Sequence, residues 1–117
     1  MKVIIAGSRE GFTIKDVREA MSLSDFDVSE ISEIVSGGAR GVDRLGEQWA
    51  TENNTQIKQF IPDWDGLGKK AGHVRNREMG DYADALIALW DGESKGTKGM
   101  IEYAQKKGLE TYVYIKQ

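Results

Sequence analysis

The 117-residue chain contains no cysteine, one histidine and one proline. Without cysteine there are no disulfides and no thiolate metal sites, and one histidine is too few for a conventional imidazole-based centre. The expectation is therefore no metal and no cofactor. Long apolar runs are missing too. No segment approaches the length of a membrane span, and Met1-Lys2 passes directly into a strand pattern rather than the apolar region of a leader. Nor is there an excess of cations. Sixteen Lys and Arg against 19 Asp and Glu give a net charge of −3, which argues against general nucleic-acid binding, because counterion release needs a basic face. These absences predict a cytoplasmic protein with no membrane partner. They leave room for a local cationic pocket. The length suits one domain around one core.

What is present is an alternation of strand and helix patterns. Residues 2–6, 31–35, 56–61, 85–90 and 111–115 read as five strands, the third halted by Pro62. Helical periodicity covers 13–22, 42–53, 67–82 and 97–107. Thr13 stands as an N-cap with Asp16 three residues on, and Gly108 closes the last helix. Residues 24–30 carry the weakest pattern. Strands separated by helices imply right-handed crossovers and a mostly parallel sheet. The expected architecture is a single small α/β domain over 1–117. It is doubly wound and Rossmann-like, with strand order 3-2-1-4-5 and helices on both faces.

The most informative stretch is Ser36-Gly37-Gly38-Ala39-Arg40-Gly41-Val42-Asp43, which joins the second strand to the second helix. Glycines at a strand exit let main chain approach a phosphate, and the unpaired N–H groups of a first helical turn can point at it. Arg40 adds a forked cation; Asp43 can cap the helix or accept a sugar hydroxyl. The pattern recurs after the first strand as Gly7-Ser8-Arg9 and after the fourth as Asp91-Gly92-Glu93-Ser94-Lys95-Gly96-Thr97. Seven of the 14 glycines fall in or beside these three exits, where an open α/β sheet binds its ligand.

Residues 62–79 hold further chemistry. Arg75 and Asn76 offer a fork for phosphate and an amide for a ribose or base edge, or else belong to a solvated helix face. Trp64, between Asp63 and Asp65, is either a stacking platform for a purine or a cover over a core edge. His73 is a candidate acid or base but has no identifiable partner in the sequence. Trp49 and Trp90 fall at apolar positions and are expected in the core. Glu102, five residues beyond Thr97, is either near the site or on the helix surface. Neither G-x-x-x-x-G-K-[ST] nor G-x-G-x-x-G occurs, so a P-loop NTPase and a standard dinucleotide dehydrogenase are disfavoured.

Ala6-Gly7-Ser8-Arg9, the Ser36–Asp43 stretch, Asp63-Trp64, Gly68 with Ala71-Gly72, Arg75-Asn76-Arg77-Glu78-Met79 and Ser94-Lys95-Gly96-Thr97 occur together in this order. This set resembles the YspA-type branch of the SLOG superfamily, small Rossmann-like proteins common in bacteria and their phages. The resemblance covers nearly the whole chain. It implies binding of a nucleotide or ADP-ribose-like ligand, for signal sensing or sequestration in phage–bacteria conflict, and assembly into a homo-oligomer. Phosphates would lie on Gly37, Gly38, Ala39, Arg40 and Gly41 and on Gly96 and Thr97, with Arg9, Arg40 and Arg75 as counter-charges. Asp43 or Asn76 would hold ribose hydroxyls, the base would stack near Trp64, and Gly7, Ser8, Asp91 and Ser94 complete the expected lining. The alternative is N-glycoside hydrolysis of a nucleoside monophosphate, as in the phosphoribohydrolases of the superfamily. His73-Val74-Arg75-Asn76 is similar to the stretch carrying their catalytic Arg, so Arg75 inherits that role. Their catalytic Glu follows a glycine-rich loop ending in Thr almost at once, whereas the first glutamate after Thr97 here is Glu102. Arg75 and Glu102 are thus the catalytic pair only under that alternative. Single-stranded DNA binding, known elsewhere in the superfamily, fits less well with an acidic chain.

Overall fold

The computed structural model describes residues 1–116. Five parallel strands form one sheet in the order β3-β2-β1-β4-β5, as the alternation predicts. They are β1 (Lys2–Gly7), β2 (Glu33–Ser36), β3 (Gln56–Gln59), β4 (Ala85–Trp90) and β5 (Glu110–Ile115). The helices are α1 (Ile14–Leu23), α2 (Val42–Glu52), α3 (Trp64–Leu67), α4 (Ala71–Tyr82) and α5 (Lys95–Lys106).

Strand alternation places Val3, Ile5, Ile34, Ala85, Ile87 and Leu89 on one face, packed with Val17, Ala20, Val42 and Trp49 from α1 and α2. Ile4, Ala6, Val35, Leu86 and Ala88 face the other way, against Met79, Met100, Ile101 and Ala104 from α4 and α5. The central strands are buried on both faces, which is why they read as continuous apolar runs. Asp16 accepts from the Thr13 N–H at 2.8 Å, holding the start of α1. The end of α5 closes with Leu109 N–H to Ala104 O (3.0 Å) and Gly108 N–H to Gln105 O (3.1 Å), the Schellman arrangement.

The differences from the expected boundaries have local causes. Ile31 is buried, yet its N–H bonds Val28 O in a 3-10 turn (Val28–Glu30), so β2 begins only where Lys2 pairs with Glu33. The third strand ends at Gln59, and all four of its residues are exposed at the sheet edge. The helix expected over 67–82 becomes regular only at Ala71, as α4, and the short helix α3 precedes it. Gly68, at φ 58°, opens a 3-10 turn that separates α3 from α4. The last helix starts two residues early, with Ser94 as its N-cap. Trp49 is in the core as expected, whereas Trp90 is half-buried and its indole N–H donates to Ser94 O at 3.0 Å. An indole N–H needs an acceptor when it leaves water, and the helix cap supplies one.

Candidate ligand-binding cleft

With this strand order the switch point lies between β1 and β4, where open α/β sheets bind ligands. The exits of β1, β2 and β4 meet there around a cleft of about 440 Å3. Its walls include Gly7, Ser8, Arg9, Ala39, Asp43, Arg75, Asn76, Asp91, Ser94, Gly96 and Thr97 from the expected set. Ala6, Glu10, Met79 and Met100 join them.

Arg75 occupies the centre of this arrangement. Its Nη1 donates to Gly37 O at 2.7 Å and its Nε to Asn76 Oδ1 at 2.8 Å. A Cβ on Gly37 would come within 2.4 Å of Arg75 Nη1 and 2.8 Å of Asp43 Oδ2, so the missing side chain is what lets guanidinium and carboxylate approach this loop. Burial pushes the Arg75 guanidinium down from its ordinary value, with Asp43 opposing that shift and Arg9 adding to it. Burial likewise raises the Asp43 carboxyl to about 6. Hydrogen bonds from Ala39 and Gly7 and the charge of Arg75 hold it lower than burial alone would, while Glu47 pushes it higher. A buried carboxyl near neutrality beside a half-buried guanidinium is an arrangement common at functional sites.

Three amides of this loop and of the start of α2 are engaged within the protein. The Gly38 N–H donates to Ser36 Oγ (3.1 Å) and the Ala39 N–H to Asp43 Oδ2 (3.2 Å). The Val42 N–H at the start of α2 donates to Ser8 O (3.1 Å), and Gly41 presses against the Arg9 backbone, 2.5 Å from where its Cβ would be. Ser8 is buried, and its Oγ accepts the Asp91 N–H at 3.2 Å, tying the β1 and β4 exits together. By contrast, no side chain caps the N-terminus of α5. Asp91 Oδ1 accepts from Glu93 and Ser94 instead (2.8 and 2.7 Å) and shapes the turn. Ser94, Gly96 and Thr97 line the cleft, so this helix start presents first-turn amides to it.

The remaining expected residues lie elsewhere. Arg40 pairs with Glu10 across the rim (3.3 Å) and, with Gly37, Gly38 and Trp64, lines a second cavity of about 330 Å3. Trp64 is 54% exposed, so it does not cover the core. Glu102 lines a third groove between α4 and α5 with His73, Asn76 and Arg77; it is not part of the cleft that holds Arg75. Five residues are about 140° around an α-helix, which turns Glu102 away from Thr97. Three further contributors are not among the expected site residues. Glu47 accepts from Ser36 Oγ (2.6 Å) and Gln59 Nε2 (2.8 Å), bracing the β2 exit, and Met79 and Met100 form the apolar floor. Among the described residues no cluster of metal-ligating side chains occurs, and no helix is long and apolar enough to cross a membrane.

A model of the YspA, cpYpsA-related SLOG family matches residues 1–66. The chain belongs to this family. The matched stretch carries β1, β2, β3 and the first two strand exits; Arg75 and the start of α5 follow it. The Gene 61 protein of Mycobacterium phage D29 is 39% identical over 82 residues, covering 65% of this chain and 66% of that protein. The chain therefore matches slightly less than two thirds of that relative's length. No solved structure matches. SLOG membership is in keeping with a nucleotide-related ligand or glycosidase-like chemistry, and the cleft geometry bears on which.

Proposed function

We propose that this SLOG protein binds a phosphate-bearing, nucleotide-derived ligand of the ADP-ribose kind in the cleft between the β1, β2 and β4 exits, and that it senses or sequesters that ligand. The observation that carries the reading is Arg75. It is held by two hydrogen bonds at the cleft wall and placed with Arg9 near the uncapped start of α5. A pre-positioned guanidinium and a helix N-terminus are complementary to phosphate oxygens. Asp91, Asn76, Ser94 and Thr97 line the cleft beside them, where ribose hydroxyls would meet them, the Ser94 and Thr97 hydroxyls giving up their mutual contact at 3.3 Å. Binding is favoured over the hydrolysis that the resemblance implies because Glu102, the carboxylate it assigns to that role, lines the α4–α5 groove, which meets this cleft only at Asn76. Assembly into a homo-oligomer is part of the same proposal and is read by sedimentation.

Incubation of the purified protein with AMP, NAD, ADP-ribose and its cyclic isomers, followed by chromatography of supernatant and heat-released fractions, tests the reading. A ligand recovered intact from the protein is the expected result. Free base or ribose phosphate accumulating beyond one equivalent would replace binding by catalysis.

A further inference from the structure

Exposed apolar side chains gather beside the cleft, where the second cavity has walls of Ile61 (64% exposed), Pro62 and Trp64. Arg9, Arg40 and Arg75 complete its charged side. Both large apolar groups lie over glycines, and the one under Ile61 leaves no room for a side chain. A Cβ on Gly38 would lie 2.8 Å from Ile61 Cδ1, and one on Gly72 would lie 3.6 Å from Trp64 Cη2. The backbone under Trp64 is fixed as well, because Asp63 Oδ1 accepts the Gly66 N–H at 2.9 Å at the start of α3. An indole and an isoleucine held apart from the core, beside three cations, are unfavourable in water and suited to a flat ring that carries an anion.

The two cavities also differ in polarity and share a wall. Glu10, Asp43 and Asp91 line the cleft, whereas among the described residues no carboxylate lines the second cavity. Hydrogen-bond donors such as sugar hydroxyls therefore fit the cleft, and a ring fits the second cavity. Arg9, Ala39 and Arg75 line both. Arg75 uses Nε and one Nη1 donor on protein acceptors, which leaves its other donors for a group lying between the cavities.

We propose that one ligand spans both cavities. Its planar heteroaromatic ring lies against Trp64 and Ile61, its pyrophosphate crosses Arg9 and Arg75, and its polyhydroxylated end enters the cleft. The ligand is then of dinucleotide size, and a mononucleotide or sugar phosphate fills only half of the site. This inference rests on the reading of the cleft as a phosphate site.

Calorimetric titrations of ADP-ribose, AMP and ribose 5-phosphate into the wild type and Trp64→Ala separate the two ideas. ADP-ribose should bind at least tenfold more tightly than either half. Trp64→Ala should weaken ADP-ribose and AMP by roughly 5- to 150-fold, the range for losing one base–aromatic stack, and leave ribose 5-phosphate unchanged. Trp64→Phe should restore most of the loss. Equal affinity for ADP-ribose and ribose 5-phosphate, or no selective effect of Trp64→Ala, overturns the spanning ligand while leaving the cleft reading intact. Absence of binding by all three compounds overturns both.

Discussion

The guanidinium of Arg75 donates to the carbonyl of Gly37 at 2.7 Å, joining α4 to the β2 exit across 38 positions of sequence. Neither partner is placed by its neighbours alone. The bond exists because the sheet order brings the β2 exit beside α4, and because Gly37 has no side chain in the way. Gly37→Ala would set a methyl group 2.4 Å from Arg75 Nη1. The guanidinium must then leave the loop. The expected cost is about 1.5–3 kcal/mol, for the charged hydrogen bond given up, since the end of a long side chain otherwise moves aside cheaply; it is measured by urea unfolding and accompanied by weaker ligand binding.

Removing the guanidinium altogether isolates its contribution to the ligand. Arg75→Ala should weaken binding by about 1.5–3 kcal/mol, the range for a hydrogen bond to a charged group. Arg75→Lys should recover only part of that, since a point charge cannot hold Gly37, Asn76 and a phosphate with one planar fork. Calorimetry on both variants checks the order.

The Asp43 carboxyl gives the protein a pH signature. Its value is raised from 3.8 to about 6 in the fold, so the folded state holds a proton that the unfolded chain has already released. Stability from this group is present below about pH 4, falls as pH rises to about 6, and is flat above that, a change on the order of 3 kcal/mol. Asp43→Asn should flatten that slope in denaturation curves measured from pH 4 to 7. The groups facing Asp43 are Arg75, Glu47 and the amides of Ala39 and Gly7, and the variant leaves them all in place.

The same carboxyl links protons to ligand binding. A phosphate drawing on the Arg75 charge raises Asp43 further, so binding takes up protons near pH 6–7. ADP-ribose, whose pyrophosphate does not titrate there, should bind more tightly at pH 6 than at pH 8. The apparent enthalpy should also change with the ionisation heat of the buffer. Asp43→Asn should abolish both effects.

The fold was legible because its signals are local. Buried parallel strands write themselves as apolar runs such as Ala85–Trp90, and helix ends carry caps such as Thr13 with Asp16. The three strand exits were legible for the same reason, and topology then carried Gly7, Ala39 and Thr97 into one cleft. What could not be read were contacts that exist only after folding. The bracing of Ser36 by Glu47 and the burial that raises Asp43 depend on packing between elements, and no local pattern encodes either. Trp64 lies exposed over Gly72, in a short helix that ends at Gly68, a placement that spacing alone does not reveal. Glu102 is the opposite case. Helical geometry at 3.6 residues per turn already sets it on a different side from Thr97.

A crystal structure of the complex with ADP-ribose decides between the cleft and its neighbours. Phosphate oxygens should lie within hydrogen-bond distance of Arg75, with one of the two phosphates reaching the first-turn amides of α5. Ligand density confined to the α4–α5 groove beside His73, Arg77 and Glu102, with Arg75 still bonded only to Gly37 and Asn76, would contradict it.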